Sequence, residues 1–302
     1  MANSIALAQK YLPLLDEVYK ANSKSNALEV GKNDGVKFTG ANTIELFETS
    51  MQGMGDYDRQ NGFLGGDVTG IWTPYTLTQD RGRSFTIDSQ TNEETLGLAF
   101  GKLAGEFLRT QVVPEVDAYT FSKIAGTANI SHGTHDQLSD ITHPADEIDA
   151  AIAQLNEDEV TDEGRLVFMS EQFYAKFKKD TTRTINNFDT TINKTIESYD
   201  GVRIIRVPQK RFLSAITLKT GKSGQEQGGY VGAATNYNLH FIMLDPAAVK
   251  RVTKHAVLRI FNPMENQQAD GWKVDYRVYY DAFVQNAKLK GVYFLRSDVA
   301  NA

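Results

Sequence analysis

Cysteine is absent from all 302 residues, which removes disulfides, thiolate nucleophiles, iron–sulfur clusters and thiolate zinc sites together. Any large assembly of this chain therefore rests on noncovalent contacts or on non-cysteine chemistry. Also missing is the run of about 18 apolar residues that a membrane helix needs, and Met1-Ala-Asn-Ser-Ile5 lacks the basic-then-apolar order of a secretory signal. The expectation is a chain with no membrane partner that stays in the compartment where it is made. Positive charge is in deficit as well: a formal net charge of −6 disfavours a protein whose task is gripping phosphates with clustered Lys and Arg. DNA, if nearby, is enclosed by such a chain and not read by it.

What is present is globular in character, with 41% hydrophobic and 23% charged residues. A length of 302 exceeds what one hydrophobic core usually organises, so two lobes, or one lobe with long extensions, are expected.

The first twenty residues carry Ala8, Tyr11, Leu12, Leu15, Val18 and Tyr19 at helical spacing, with Pro13 in a first turn or at a kink. This reads as a short amphipathic arm or as a helix packed on its own domain. From Ser23 to about Gly40 no period survives, and the segment reads as linker. Asn42 to Glu48 reads as a strand, followed by the glycine-dense stretch from Gly53 to Gly70. Trp72–Thr78 and Arg83–Asp88 are β-rich, and Gln79-Asp-Arg-Gly-Arg83 between them has turn composition, which predicts a hairpin turning at Gly82. Residues 38–88 thus form strands and loops with few large apolar side chains, a segment expected to lean on something else.

Thr91-Asn-Glu-Glu94 fits a capping box, and Leu96, Phe100, Leu103 and Phe107 continue one helical face. With Val113, Val116 and Phe121 the helix reaches Ala125, about 45 Å at 1.5 Å per residue, with Pro114 as a kink. The middle of the chain reads as α/β. A helix begins at Pro144 with Asp146 and Glu147 in its first turn. Leu166-Val-Phe-Met169 is a buried strand ending on the helix cap Ser170, and Phe241-Ile-Met-Leu244 repeats the pattern, with Asp245 as cap and Pro246 as first helical residue. Two such units suggest a mixed sheet flanked by helices. Strands at Ala256–Phe261, Val274–Phe283 and Gly291–Leu295 then suggest an antiparallel C-terminal sheet.

The catalytic motifs in the sequence are incomplete. Gly221-Lys222-Ser223 ends like a P-loop, but Ile216 stands where that loop requires glycine. His132-Gly-Thr-His135-Asp136 offers three metal ligands in five residues, yet lies in a Ser/Gly/Thr-rich segment read as loop, without the intervening Glu of a helical metalloprotease pair. Carboxylate pairs such as Asp56 and Asp58, or the run Glu157 to Glu163, meet no convergent partner. The expectation is a non-enzyme with no catalytic, cofactor or metal residues. A metal-dependent hydrolase using His132 and His135 and a DNA-binding module are the alternatives from other classes.

Gly55-Asp-Tyr-Asp-Arg59, Tyr75 to Phe85, Glu93 to Phe100, Phe107 to Tyr119 and Trp272 to Phe283 together resemble the major capsid proteins of tailed bacteriophages with the Hong Kong 97 fold. These strings are spread over about two thirds of the chain. The resemblance implies an α+β fold with an N-terminal arm (1–37) and an extended β-hairpin, the E-loop (38–90), which in that family lies across a neighbouring subunit. It further implies a peripheral domain with a spine helix (91–128 and 251–302) and a mixed α/β axial domain (129–250), with the loop from Gly221 to Gly229 near the capsomer axis. The implied function is a structural subunit forming hexamers and pentamers of an icosahedral shell around double-stranded DNA. It would be assembled in the bacterial host cytoplasm and carried in the virion. The implied partners are copies of itself, a separate scaffolding protein because the length leaves no room for an attached one, a portal, decoration proteins, and DNA held non-specifically. An encapsulin-like nanocompartment shell shares the fold and is the nearest alternative. Candidates for intersubunit contacts are Asp56, Asp58, Arg59, Trp72, Asp80, Arg81 and Arg83.

Overall fold

The computed structural model describes residues 23–30, 36–40, 42–60, 62–63, 65–89, 104–180 and 196–301. The N-terminal stripe and the capping box at Thr91 fall outside the described residues.

The chain opens with a 3-10 turn (Ser25–Leu28) and strands β1 (Val36–Thr39), β2 (Thr43–Met51), β3 (Val68–Thr76) and β4 (Gln79–Asp88). Residues 104–107 are α-helical, Leu108–Val112 form a π-helical turn, and α1 (Val113–Ala125) continues the rod. There follow β5 (Ser131–His135), α2 (Pro144–Glu157), β6 (Leu166–Ser170), α3 (Glu171–Phe177), β7 (Ser198–Tyr199), β8 (Val202–Val207), β9 (Ile216–Leu218), β10 (Tyr230–Gly232), β11 (Leu239–Leu244), β12 (Val249–Phe261), β13 (Gly271–Val284) and β14 (Val292–Ser297).

A six-stranded mixed sheet in the order β5-β14-β11-β6-β8-β7 forms one body. Every residue of β6 and β11 is buried, because both faces of this sheet are covered. Phe168, Ile242 and Leu244 pack toward α1 with Phe121 and Ile124, while Val167, Met169, Phe241 and Met243 pack toward α2 and α3 with Ile148, Leu155, Phe173 and Phe177. The Ser170 hydroxyl accepts from the Phe173 amide at 3.2 Å and so starts α3, as the sequence predicts.

The second body is a three-stranded antiparallel sheet, β12-β13-β4, laid against the helical rod. Val274, Tyr276, Val278 and Tyr280, at a spacing of two along β13, meet Leu108, Val112, Val116 and Tyr119. Pro114 lacks the amide that would bond the carbonyl of Thr110. The π turn precedes it, and there the Val113 amide bonds the Leu108 carbonyl five residues back. The β9–β10 hairpin rests Ile216 and Leu218 on this same core, not on the six-stranded sheet.

Several expectations are corrected. Gln79–Arg83 is not a turn: β4 runs straight through it and pairs with β13, while β3 pairs with β2. The hairpin is therefore β2–β3, with the glycine-dense stretch at its tip. Chain direction changes at Leu77 and Thr78, where the Leu77 amide bonds the Asn42 carbonyl and the Thr78 amide and hydroxyl both donate to the buried Asp281 carboxylate. Asp245 caps no helix; its side chain accepts from the Ala247 amide in a turn that feeds β12 directly. β14 joins β11 and β5 in the six-stranded sheet, and the third strand beside β12 and β13 is β4. Residues 131–135 are an edge strand and not a loop. Residues 23–30 are not free linker but are partly buried against α1 and β12.

Candidate assembly surfaces

The β2–β3 hairpin has nine residues in each strand and keeps its ladder from Thr43↔Thr76 to Met51↔Val68. At its base Ile44 and Leu46 are buried against Leu77, Val252 and Phe283. Beyond that point neither strand has a body to lie on among the described residues. On the face opposite Ile44 and Leu46, the cross-strand pairs Phe47↔Trp72 and Met51↔Val68 place four large apolar side chains in the open. Phe47 and Trp72 rings sit 5.2 Å apart, and the Lys37 ammonium lies 5.8 Å from the Trp72 ring centre. Gly70 is required here, since a Cβ at that position would lie 2.6 Å from the Phe47 ring. At the tip, Met54, Tyr57 and Phe63 are exposed too, with Tyr57 and Phe63 in an edge contact at 4.9 Å. Most of the exposed large apolar side chains among the described residues lie on this one element. A contiguous apolar ridge on a protruding strand pair marks a binding surface.

The predicted contact residues divide into two groups that do not meet. Asp56, Asp58 and Arg59 lie at the hairpin tip, where Asp58 closes a tight turn: its carboxylate accepts from the Gln60 amide at 2.8 Å and its carbonyl from the Gly62 amide at 2.8 Å. Trp72 lies on the ridge. Asp80, Arg81 and Arg83 sit instead on β4 and bind within the chain. Asp80 pairs with Arg277, its diagonal neighbour on β13, whose hydrogen bonds hold the carboxylate below its ordinary range. Arg81 pairs with Glu115 of α1 at 2.7 Å and also donates to the carbonyls of Lys219 and Gly229, and the Glu115 hydrogen bond raises its pKa. Arg83 donates to the Glu226 carbonyl at 2.8 Å. These two arginines hold the glycine-rich loop over a cleft of roughly 710 Å³ floored by Phe85, Phe107, Val116 and Tyr276.

Sequence reasoning named Trp72 but passed over Phe47, Met51, Met54, Phe63 and Val68. Alternating apolar residues look alike whether their face is covered by the same chain or by another.

The candidate metal ligands do not converge. His132 stacks on Phe294 at 5.0 Å, and His135 bonds Glu147 at 3.0 Å. Among the described residues no group of three or more His, Asp or Glu is placed to hold a metal.

No family model matches the sequence, and no curated protein matches it. The fold does have solved counterparts. The capsid structure of cyanophage P-SCSP1u superposes with a TM-score of 0.62 at 11% identity, covering 88% of this chain and 85% of that one. A structure from Mycobacterium phage Che8 gives 0.56 at 14% identity, covering 85% of each chain. The chain has the Hong Kong 97-type capsid fold. A virus-like particle from Pyrococcus furiosus shares that fold, with a TM-score of 0.52 at 13% identity over 93% of this chain and 95% of that one.

Proposed function

We propose that this chain is the major capsid protein of a tailed bacteriophage, assembling as hexamers and pentamers into an icosahedral shell around double-stranded DNA. The observation that carries this reading is the apolar ridge of Phe47, Trp72, Met51 and Val68 on a hairpin without a core of its own. Burial of such a ridge requires another molecule, and a second copy of the chain is always at hand. The hairpin serves as the E-loop, the rod with β12, β13 and β4 as the peripheral domain, and the six-stranded sheet with α2 and α3 as the axial domain. On this division β14 belongs to the axial part and the β9–β10 hairpin to the peripheral part, which moves the sequence-based boundaries. Asp56, Asp58, Arg59 and Trp72 serve as contact residues between subunits, whereas Asp80, Arg81 and Arg83 shape the subunit first. A scaffolding protein, a portal and decoration proteins are the expected partners, and the virion is the destination.

The test is negative-stain microscopy of the chain expressed alone and together with its neighbouring genes. Capsomers or closed shells in either preparation are the expected result, and monomers in both would remove the proposal. The Pyrococcus furiosus particle favours a second reading, a shell that encloses protein. Nucleic-acid absorbance of particles purified from infected cells separates the two.

A further inference from the structure

The root of the N-terminal segment is held by a buried acid–base network. Asp117, on α1, is fully buried, and its carboxylate accepts five hydrogen bonds. Four come from three consecutive residues: the Ser23 hydroxyl at 2.9 Å, the Lys24 amide at 3.0 Å, and the Ser25 amide and hydroxyl at 3.1 and 2.7 Å. The fifth comes from Arg211 at 3.3 Å. Arg251, on β12, is also fully buried, and one of its terminal nitrogens donates to both serine hydroxyls, at 3.0 and 2.6 Å. Each hydroxyl thus gives its proton to Asp117 and receives one from Arg251, so the two serines bridge a carboxylate and a guanidinium. The other terminal nitrogen of Arg251 bonds Glu29 at 2.6 Å, the Val30 amide bonds the Arg251 carbonyl, and Leu28 enters the core beneath the six-stranded sheet.

We infer that residues 23–29 are a clip belonging to the folded body, so that the body of the subunit begins by Ser23. Taking the clip away strips most of the donors from Asp117 and the two bridging acceptors from Arg251, so both charges lose the partners that their burial requires. The clip bonds the helical rod and β12 at once, and shares Asp117 with Arg211. The clip therefore ties the start of the described chain to both sheet bodies. It follows that any processing that trims the N-terminus stops before residue 23. This inference stands independently of what the chain assembles into.

The first test is hydrogen exchange on the full chain, reading the amides of Lys24 and Ser25. Both should be protected, and the double variant Ser23→Ala/Ser25→Ala should lower that protection at least about tenfold. Exchange at unfolded rates in the wild type would overturn the clip. The second test compares truncations: loss of residues 1–22 should leave Tm within about 2 °C, while loss of 1–30 should lower it by roughly 10 °C or prevent folding. An unchanged Tm after the longer truncation would overturn the inference, as would particles whose mature N-terminus, read by mass spectrometry, lies beyond Ser23.

Discussion

Arg81 holds Glu115 with two parallel hydrogen bonds, Nε to Oε1 at 2.7 Å and Nη2 to Oε2 at 3.1 Å. The same guanidinium reaches the carbonyls of Lys219 and Gly229, so one side chain ties β4 to the helical rod and to the glycine-rich loop. Arg81→Ala leaves a largely buried carboxylate and two carbonyls unpaired and should cost about 3 kcal/mol in urea denaturation. Arg81→Lys should recover little of that, because an ammonium cannot form the fork. Arg83→Ala, at an exposed site, should change stability by less than about 1 kcal/mol, and equal losses at the two positions would contradict this division of labour.

The ridge on the β2–β3 hairpin predicts the opposite behaviour. Phe47→Ser together with Trp72→Ser removes two half-exposed rings that pack mainly on each other, so unfolding of the isolated chain should shift by only about 1–2 kcal/mol. Sedimentation should nevertheless show that assembly into capsomers is lost. Particles of normal yield from this variant would move the interface elsewhere.

His240 sets a pH dependence. It is buried on β11, its Nε2 has no hydrogen-bond partner, and burial, with the positive charges of His135 and Lys176 adding to it, pulls its pKa down to about 4. The native state therefore binds fewer protons than the unfolded state between about pH 6.5 and pH 4. Stability is full above about 6.5 and falls as pH drops through that window, by on the order of 3 kcal/mol, levelling off below. Chemical denaturation at stepped pH should show this slope, and His240→Phe should flatten it.

Gly82 faces Arg277 across the β4–β13 ladder, and a Cβ there would lie 2.8 Å from the Tyr276 carbonyl oxygen. Gly82→Val should cost about 1–3 kcal/mol by prising the strands apart. Gly53→Ala, at the hairpin tip with open space around it, should be close to neutral. Equal melting temperatures for the two variants would refute the close approach.

What was readable in the sequence follows from how locally each element is specified. The runs Leu166–Met169 and Phe241–Leu244 announce strands covered on both faces, and Ser170 and Pro144 mark helix starts by chemistry contained within a few residues. Pairing partners are a different matter. Asp80, Arg81, Gly82 and Arg83 have the composition of a turn because their polar groups find Arg277, Glu115 and Glu226 far away in sequence. The register of β14, and the role of Asp117 as a receptor for residues 23–25, likewise depend on contacts across most of the chain. Of the candidate surface, Trp72 and the tip residues are legible in the sequence, but the ridge around them exists only through the pairing of β2 with β3.

The position of β14 bears on how the molecule is made. Among the described residues β5 pairs only with β14, and β11 stands between β6 and β14, yet β14 follows all of them in the chain. Until it emerges, the nascent chain carries one strand with no neighbour and another, entirely apolar-cored, with an open edge. Such a sheet closes only once β14 has emerged, through contacts of very large sequence separation. Translation products that stop before Val292 cannot seal the edge of β11, so quality control and not assembly is their expected fate, and only finished chains present a completed body to one another.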